Sequence, residues 1–252
     1  MQFQVKGQTT PVLEVAIASG DAIVAESGEL AWLAGDVRLE TTTGAGASQA
    51  GFLGAAKRAI GGGTFFMTRY TVGSGEGLVA FAAKAPGEIR ELVLDGAREY
   101  AVHRHGFVCA EEGVELGIHM QQRLGAGIFG GAGFLLQRLS GRGRAFVELH
   151  GVVVPYELGP ADELRVHPGH VGLFETSVSV ELTTVPGIRN KLFGGDGLFL
   201  ARLRGPGHVW LQSITLAGLA HALQPYIVGE TTTEVGAAGA GAAIIGSLLK
   251  GR

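Results

Sequence analysis

The chain has 252 residues, of which 43 are Gly and 8 are Pro, and its 46% hydrophobic and 17% charged residues exclude a wholly disordered or collagen-like protein. A formal net charge of −3 argues against a globally basic surface for nucleic acid, although a local basic patch stays open. The single cysteine excludes an intrachain disulfide and a thiolate metal cage, and the first residues lack the pattern of a secretory signal, so we expect a cytoplasmic protein.

Short runs of alternating apolar and polar residues, separated by glycine-rich turns, recur along the chain. This period of two is typical of half-buried β-strands. The runs are Val37–Glu40, Leu78–Phe81, Tyr100–Val102, Val114–Leu116, Ala145–Leu149, Leu164–Val166, Val178–Leu182 and Val209–Leu211. The sequence therefore predicts an all-β fold.

Two segments depart from the strand pattern. A Gly/Ala-rich insertion at 44–63 contains Phe52–Ile60, whose apolar residues favour a short helix. A second helix is predicted near 213–224, with Ser213 as its N-cap and Pro225 as its stop.

A glycine-framed segment ending in arginine occurs three times. Each copy leads into a Gly-x-Gly turn and then an apolar run, and a second repeated piece begins upstream at Gly28, Gly106 and Gly169. The copies are Gly61–Arg69, Gly130–Arg138 and Gly194–Arg202. We therefore predict three β modules at 1–85, 86–150 and 151–226, followed by a flexible Gly/Ala-rich tail at 227–252.

The chain resembles the mitochondrial biogenesis family, named from altered inheritance of mitochondria, over Phe3 to about Tyr226. The motifs that carry the resemblance are Gly51–Arg58, Gly127–Gly131, Leu192–Leu198 and Gly205–Gln212. That family is similar in fold to the tryptophan-RNA-binding attenuation protein, which implies that each module is a short double-stranded β-helix. The resemblance implies no catalytic residue.

A pair of histidines with a nearby glutamate invites comparison with the metal sites of cupins. His103, His105 and Glu111 could supply ligands, with His167 and His170 completing the set. Glu111 lies six residues after His105 rather than four or five, and the next module does not repeat the pair. We therefore assign no metal ligand, and we expect these histidines to be satisfied or exposed groups at strand ends.

Two further patterns have both a functional and a structural interpretation. Gly125–Gly130 matches GxGxxG, but a strand-like run follows it instead of a helix, so a glycine turn is the better interpretation and no cofactor is assigned. Arginines beside the Gly-x-Gly turns could contact phosphate, but few aromatic residues are available for stacking, so solvated turn charges are favoured. These arginines are Arg138, Arg142, Arg144, Arg202 and Arg204.

No residue pattern argues for catalysis. Gly-x-Ser-x-Gly is absent, no Ser-His-Asp triad is identifiable, and Cys109 stands within an apolar run that favours a buried position. We expect a non-enzymatic, homo-oligomeric β scaffold or interaction protein. The alternatives are a small-ligand or RNA-binding module and, after that, a cupin-like metal enzyme.

The small-residue stretch of the tail, 236–249, is too short to span a bilayer as a helix. It could still contact a membrane surface or a protein partner, whereas nucleic acid is not an expected partner.

Overall fold

The computed structural model describes residues 1–42, 67–122, 133–184 and 199–227. Within these ranges it contains sixteen β-strands, a 3-10 turn at Pro168–His170 and an α-helix, α1, at Leu216–Ile227. The strands are β1 (Gln2–Lys6), β2 (Val12–Ala18), β3 (Ala22–Glu26), β4 (Leu30–Thr42), β5 (Met67–Ala82), β6 (Gly87–Asp95), β7 (Tyr100–His103), β8 (Phe107–Glu111), β9 (Val114–Gln122), β10 (Phe134–His150), β11 (Val153–Leu158), β12 (Glu163–Val166), β13 (Val171–Glu175), β14 (Ser179–Thr184), β15 (Phe199–Arg204) and β16 (Gly207–Gln212). The all-β prediction is confirmed.

The described strands pair antiparallel, around long central strands. The first half of β10 pairs with β7 and β9, and its second half pairs with β6 and β8. The first half of β5 pairs with β3 and its second half with β2, while β4 follows its whole length. In the last part of the chain, β15 pairs with β12 and β14, and β16 pairs with β11 and β13.

The predicted Gly-x-Gly turns are wrong for the first two copies, because β5 and β10 run through them as continuous strands. Gly75, Gly141 and Gly143 have positive φ angles of 76°, 92° and 131°, which glycine adopts without steric cost. These glycines lie close to the point where each long strand changes its partner strands. Only the third copy separates two strands, β15 and β16.

Two further ladders connect strands that flank different central strands, and we call these two ladders the seams. In the first seam β3 pairs with β8, and Val24 lies opposite Ala110. In the second seam β7 pairs with β13, and Ala101 lies opposite Phe174. All four residues are buried, so the seams are continuous with the hydrophobic core.

Three buried clusters fill the interior. They are centred on Leu13, Tyr70 and Phe81 in the first part of the chain, on Phe107, Leu139 and Leu149 in the middle, and on Leu136, Phe174 and Leu203 in the last part. Phe146 is buried as predicted, and Trp210 packs partly buried against the middle cluster. Residues Met1–Ala217 form one compact unit, and the described residues from Gly218 onward belong to a second.

The predicted boundaries of the last helix are wrong at both ends. The helix begins at Leu216 and ends at Ile227, beyond Pro225. Ser213 does not cap it, because its Oγ accepts a hydrogen bond from the backbone N–H of Val152 at 2.8 Å and its own N–H donates to the Val152 carbonyl at 3.0 Å. Through these two bonds Ser213 extends the pairing of β11 with β16 by one residue.

Several predictions concern residues outside the described ranges. They are the insertion helix at 52–60, the glycine motif at 125–130, and the tail beyond Ile227. The module boundaries at 85, 150 and 226 stay predictions.

Candidate functional site: a histidine-lined pocket

A pocket of about 290 Å³ opens where several strand ends meet. Its walls come from the turn after β7, both ends of β10, the 3-10 turn before β13, and the segment after β16. The lining is His103, Arg104, His105, Gly133, Phe134, Leu135, His150, His167, Pro168, Gly169, Gln212, Thr215, Leu216 and Ala217. This size is close to the lower end of the range for small-molecule sites.

His150, the last residue of β10, is the most unusual polar group of the lining. Its side chain is 1% exposed, and neither ring nitrogen has a hydrogen-bond partner among the described residues. Nε2 lies 3.7 Å from Glu148 Oε2, which is too long for a hydrogen bond. A buried polar group without a partner costs free energy, so a bound molecule that met the His150 ring would recover it.

The other histidines of the pocket favour their neutral forms. Burial, together with the neighbouring His150, whose ring centre is 5.0 Å away, lowers the pKa of His103 to about 3. Burial likewise lowers the pKa of His105 and of His167. A neutral imidazole has one donor and one acceptor nitrogen, so the pocket offers hydrogen bonds rather than a cluster of positive charge.

Hydrogen bonds to the backbone hold the polar side chains in place. His103 Nε2 donates to the Glu148 carbonyl at 3.0 Å, which fixes the proton on that nitrogen. Gln212 Oε1 accepts from the His150 N–H at 3.0 Å, and Gln212 Nε2 donates to the Gly169 carbonyl at 3.1 Å. Gln212 thus ties β16 to both sides of the pocket.

An ion pair with a buried carboxylate lies close to His150. Glu148 is 1% exposed, and its Oε1 lies 3.0 Å from Lys84 Nζ, which also lies 2.7 Å from Glu29 Oε1. Burial alone would raise the pKa of Glu148, but the nearby His150 ring and the charge and hydrogen bonds of Lys84 outweigh burial and lower that pKa to about 2. An ionised carboxylate therefore lies next to His150, although Glu148 itself does not line the pocket.

The structure does not assemble the metal set considered from the sequence. His103, His105 and His167 line the pocket, but Glu111 accepts hydrogen bonds from the N–H and Nε of Arg144 at 2.8 and 3.2 Å. His170 Nδ1 donates to the Gln212 carbonyl at 2.8 Å. Among the described residues, no three His, Cys, Asp or Glu side chains are placed so that they could hold a metal ion.

Four of the five turn arginines form ion pairs with glutamates. Arg138 lies 3.7 Å from Glu99, Arg144 3.2 Å from Glu111, and both Arg202 and Arg204 within 3.5 Å of Glu163. No ion pair of Arg142 is seen in the described part of the chain. Pairing to carboxylates lowers the positive potential that a phosphate would meet, while the solvation of these charges stays a prediction.

Cys109 is confirmed as a buried residue in the middle of β8. Burial raises the pKa of its thiol well above the ordinary value, so the thiolate needed for nucleophilic chemistry is scarce.

Sequence reasoning missed His150, Gln212 and Glu148. Each stands at or near a strand end without a recognisable motif. They meet because β10 pairs with β7, β7 with β13, and β13 with β16, which are strands far apart in the chain. The one usable signal was a polar residue within or just after a strongly apolar run, as in Phe146–His150.

The pocket combines an apolar wall with few polar groups. Phe134, Leu135, Pro168 and Leu216 supply the apolar surface, and the histidines, Gln212 and Arg104 supply the polar one. This composition suits a small, mostly apolar molecule with one hydrogen-bonding polar group.

Comparison with known proteins places the chain in a family. The family described as "Mitochondrial biogenesis AIM24" matches residues 3–214, which confirms the resemblance seen in the sequence. An uncharacterised protein of Streptococcus pyogenes serotype M6 is 23% identical over 230 residues, covering 90% of this chain and 91% of the relative. A crystal structure of a Streptococcus pyogenes protein superposes with a TM-score of 0.70 at 21% identity, covering 90% of this chain and 99% of that one. The likeness to the tryptophan-RNA-binding attenuation protein stays a prediction.

Proposed function

The chain belongs to the mitochondrial biogenesis AIM24 family, and from that premise we propose that it is a non-enzymatic β scaffold that self-associates. One observation carries the proposal: two strand edges that correspond to the buried seams have no partner strand among the described residues. These edges are the start of β4, around Trp32 and Leu33, and the outer side of β12.

Open edges of this kind favour association with another chain. An edge strand presents unpaired N–H and C=O groups, and burying apolar side chains beside them adds a hydrophobic driving force. Trp32 and Leu33 are 45% and 38% exposed, although both are large apolar residues. A second copy of the chain is the simplest partner, because it carries both kinds of edge and is always present wherever the first copy is.

Sedimentation velocity and native mass spectrometry of the full chain test the proposal. We expect a species heavier than the 26.1 kDa monomer, whose share increases with concentration. A sharp monomer at every concentration from about 1 to 100 µM would contradict self-association.

A membrane-peripheral location remains part of the proposal, because the sequence of the tail is apolar and uncharged between 236 and 249. Among the described residues no helix combines the length and apolar character that a membrane crossing requires. Flotation with liposomes, comparing the full chain with a variant lacking 230–252, tests this part. Equal flotation of the two proteins would contradict a role of the tail.

A second candidate function is binding of a small ligand, and the unpartnered ring of His150 favours it. We expect a molecule whose apolar body contacts Phe134 and Leu216 and whose polar group meets His150. Native mass spectrometry of gently purified protein would then show a bound mass that dissociates on unfolding.

The anionic dye anilinonaphthalene sulfonate provides a probe of the same pocket. We expect saturable binding at one site per chain, weakened by Leu216→Asp and unchanged by Val93→Asp, an exposed position on β6. Equal loss of binding in both variants, or none in either, would contradict the pocket as the site.

A further inference from the structure

The two seams follow one geometric rule. In the first seam, β3 pairs with the first half of β5 and also with β8. In the second seam, β7 pairs with the first half of β10 and also with β13. Both β8 and β13 contain a bulge. The short strands of the seams are β3 and β7, and their bulged partners are β8 and β13. The same two kinds of strand exist a third time, in β12 and the start of β4.

The position of β12 is fixed by three equivalent arginines on the central strands. Arg69 lies opposite Val24 of β3, Arg138 opposite Ala101 of β7, and Arg202 opposite Arg165 of β12. Arg165 therefore occupies the place in β12 that Val24 and Ala101 occupy in the two seams.

The position of the start of β4 is fixed by a bulge. Pairing with the central strand skips one residue in each case: Ala31 in β4, Val108 in β8 and Gly172 in β13. Counting two residues beyond the bulge gives Leu33, Ala110 and Phe174. Leu33 therefore corresponds to the two residues that face Val24 and Ala101 in the seams.

Burial separates the edges that have partners from those that do not. Every residue of β3, β7, β8 and β13 is buried except the last one of each strand, which is half-buried. In β12 only Val166 is buried, and residues 31–36 of β4 are all exposed. Among the residues that the structure describes, β12 pairs only with β15 and β4 only with β5.

We propose that β12 of one copy pairs antiparallel with the start of β4 of a second copy, forming a third seam between chains. This inference rests on the proposed self-association and names its interface. Applying the seam register places Arg165 opposite Leu33, Val166 opposite Trp32, and Leu164 opposite Ala34.

The chemistry of the two edges suits this register. Residues directly opposite in an antiparallel pair project to the same face. Trp32 and Ala34 would then meet Val166 and Leu164, which already adjoin the last core cluster. Arg165, whose side chain is 62% exposed, would lie over Leu33 on the other face with its charged end in solvent.

The contact joins unlike surfaces, so it is head-to-tail. Each copy retains one free edge of each kind, and such an interface either closes into a ring or extends into a filament.

Disulfide trapping tests the register directly. Leu33→Cys and Arg165→Cys are prepared as separate proteins with different affinity tags, mixed and oxidised with copper phenanthroline. We expect a covalent dimer that contains both tags, while neither protein alone is crosslinked. Val93→Cys replaces Leu33→Cys as the control, because Val93 is 63% exposed but lies on β6, away from both edges, and we expect no mixed dimer from it.

A charge exchange supplies a test in solution. Leu33→Arg places like charges opposite each other and should weaken association about tenfold or more, whereas adding Arg165→Glu should restore it to within about threefold of the original. Unchanged melting temperatures by circular dichroism show that the variants remain folded, since both positions are on the surface.

The outcomes separate the interface from the scaffold proposal. An oligomer that forms no mixed dimer and ignores Leu33→Arg overturns the interface and leaves self-association standing. A protein that stays monomeric overturns both. A disulfide formed within one chain of the Leu33→Cys/Arg165→Cys variant, without covalent oligomers, also overturns the interface between copies.

Discussion

Glu148 and Lys84 contact each other through both ends of the carboxylate. The backbone N–H of Lys84 donates to Glu148 Oε2 at 2.9 Å, and the Lys84 ammonium lies 3.0 Å from Oε1. Glu148 is on β10 and Lys84 is in the connection between β5 and β6, so the pair joins parts of the core that are distant in sequence. The Glu148 carboxylate is 1% exposed, so it depends on these contacts, whereas the partly exposed Lys84 ammonium also lies 2.7 Å from Glu29 Oε1.

We expect Glu148→Gln to lower the free energy of unfolding by about 1.5–3 kcal/mol, because the buried carboxylate loses its ion pair with Lys84, while the Lys84 ammonium keeps Glu29 as a partner. Urea denaturation at pH 7 measures the change. Glu14→Gln is the matched control, since Glu14 forms a surface ion pair with Lys6 at 2.6 Å and should cost less than about 1 kcal/mol. Equal effects of the two substitutions would contradict a structural role for the buried pair.

The same carboxylate predicts a pH dependence at the acid end. The pKa of Glu148 is about 2 in the folded protein and near 4.5 when unfolded, so its stabilisation is present above pH 4.5 and is lost as the pH falls toward 2. The free energy of unfolding of the wild type should decrease over this range more steeply than that of Glu148→Gln. Parallel curves for the two proteins would show that another group is responsible.

The effect of Glu26 on stability has the opposite pH dependence to that of Glu148. Burial raises its pKa to about 7, although a hydrogen bond from Gln137 Nε2 at 2.8 Å opposes the shift. The folded protein therefore holds this proton more tightly than the unfolded chain, and stability decreases as the pH rises from 4.5 to 7. We expect Glu26→Gln to remove that decrease and to stabilise the protein at pH 7.5 by about 1–3 kcal/mol. Thermal unfolding at pH 5 and 7.5 measures both effects, and a loss of stability at both pH values would contradict them.

Close backbone packing leaves no room for a side chain at Gly87. A Cβ on Gly87, the first residue of β6, would collide with the carbonyl of Leu149 on β10, while a Cβ on Gly117 of β9 would meet no atom nearer than Arg138 Nε at 3.9 Å. We expect Gly87→Ala to destabilise the protein by more than about 2 kcal/mol and Gly117→Ala to change stability by less than about 0.5 kcal/mol. Chemical denaturation of the two variants provides the comparison, and similar values would contradict the packing argument.

The sequence predicted the strands better than it predicted their connections. Alternation in Val114–Leu116 or Leu164–Val166 identifies a strand because one face is buried, whereas Ala145–Leu149 is buried on both faces. Alternation does not show that Gly141 and Gly143 belong to one continuous strand, since glycine at positive φ occurs both in turns and within strands. The predicted N-cap at Ser213 is wrong for a related reason. A serine hydroxyl suits an N-cap, but Val152, the residue that Ser213 bonds to, is brought near only by the pairing of β11 with β16.

The candidate site was only partly accessible from sequence for the same physical reason. His103 and His105 attracted notice through their spacing, whereas His150 and Gln212 join them only through long-range strand pairing. The metal hypothesis failed at Glu111, because the residue that competes for its carboxylate, Arg144, comes from the opposite strand.

Cys109 offers a built-in probe of the first seam. It is fully buried, lies opposite Ala25 of β3 on one side and Phe146 of β10 on the other, and burial raises the pKa of its thiol. A maleimide should therefore react with it only when β3 separates from β8 or the whole protein unfolds. We expect negligible labelling of the native protein over hours and rapid labelling in denaturant, followed by mass spectrometry.

The Val93→Cys variant is the control for reagent and access, since it should gain one rapidly labelled thiol at an exposed position and leave the second unreacted. Labelling of Cys109 in the native wild type at the rate of that exposed thiol would mean that the first seam is open in solution, and the register proposed for the third seam would lose its template.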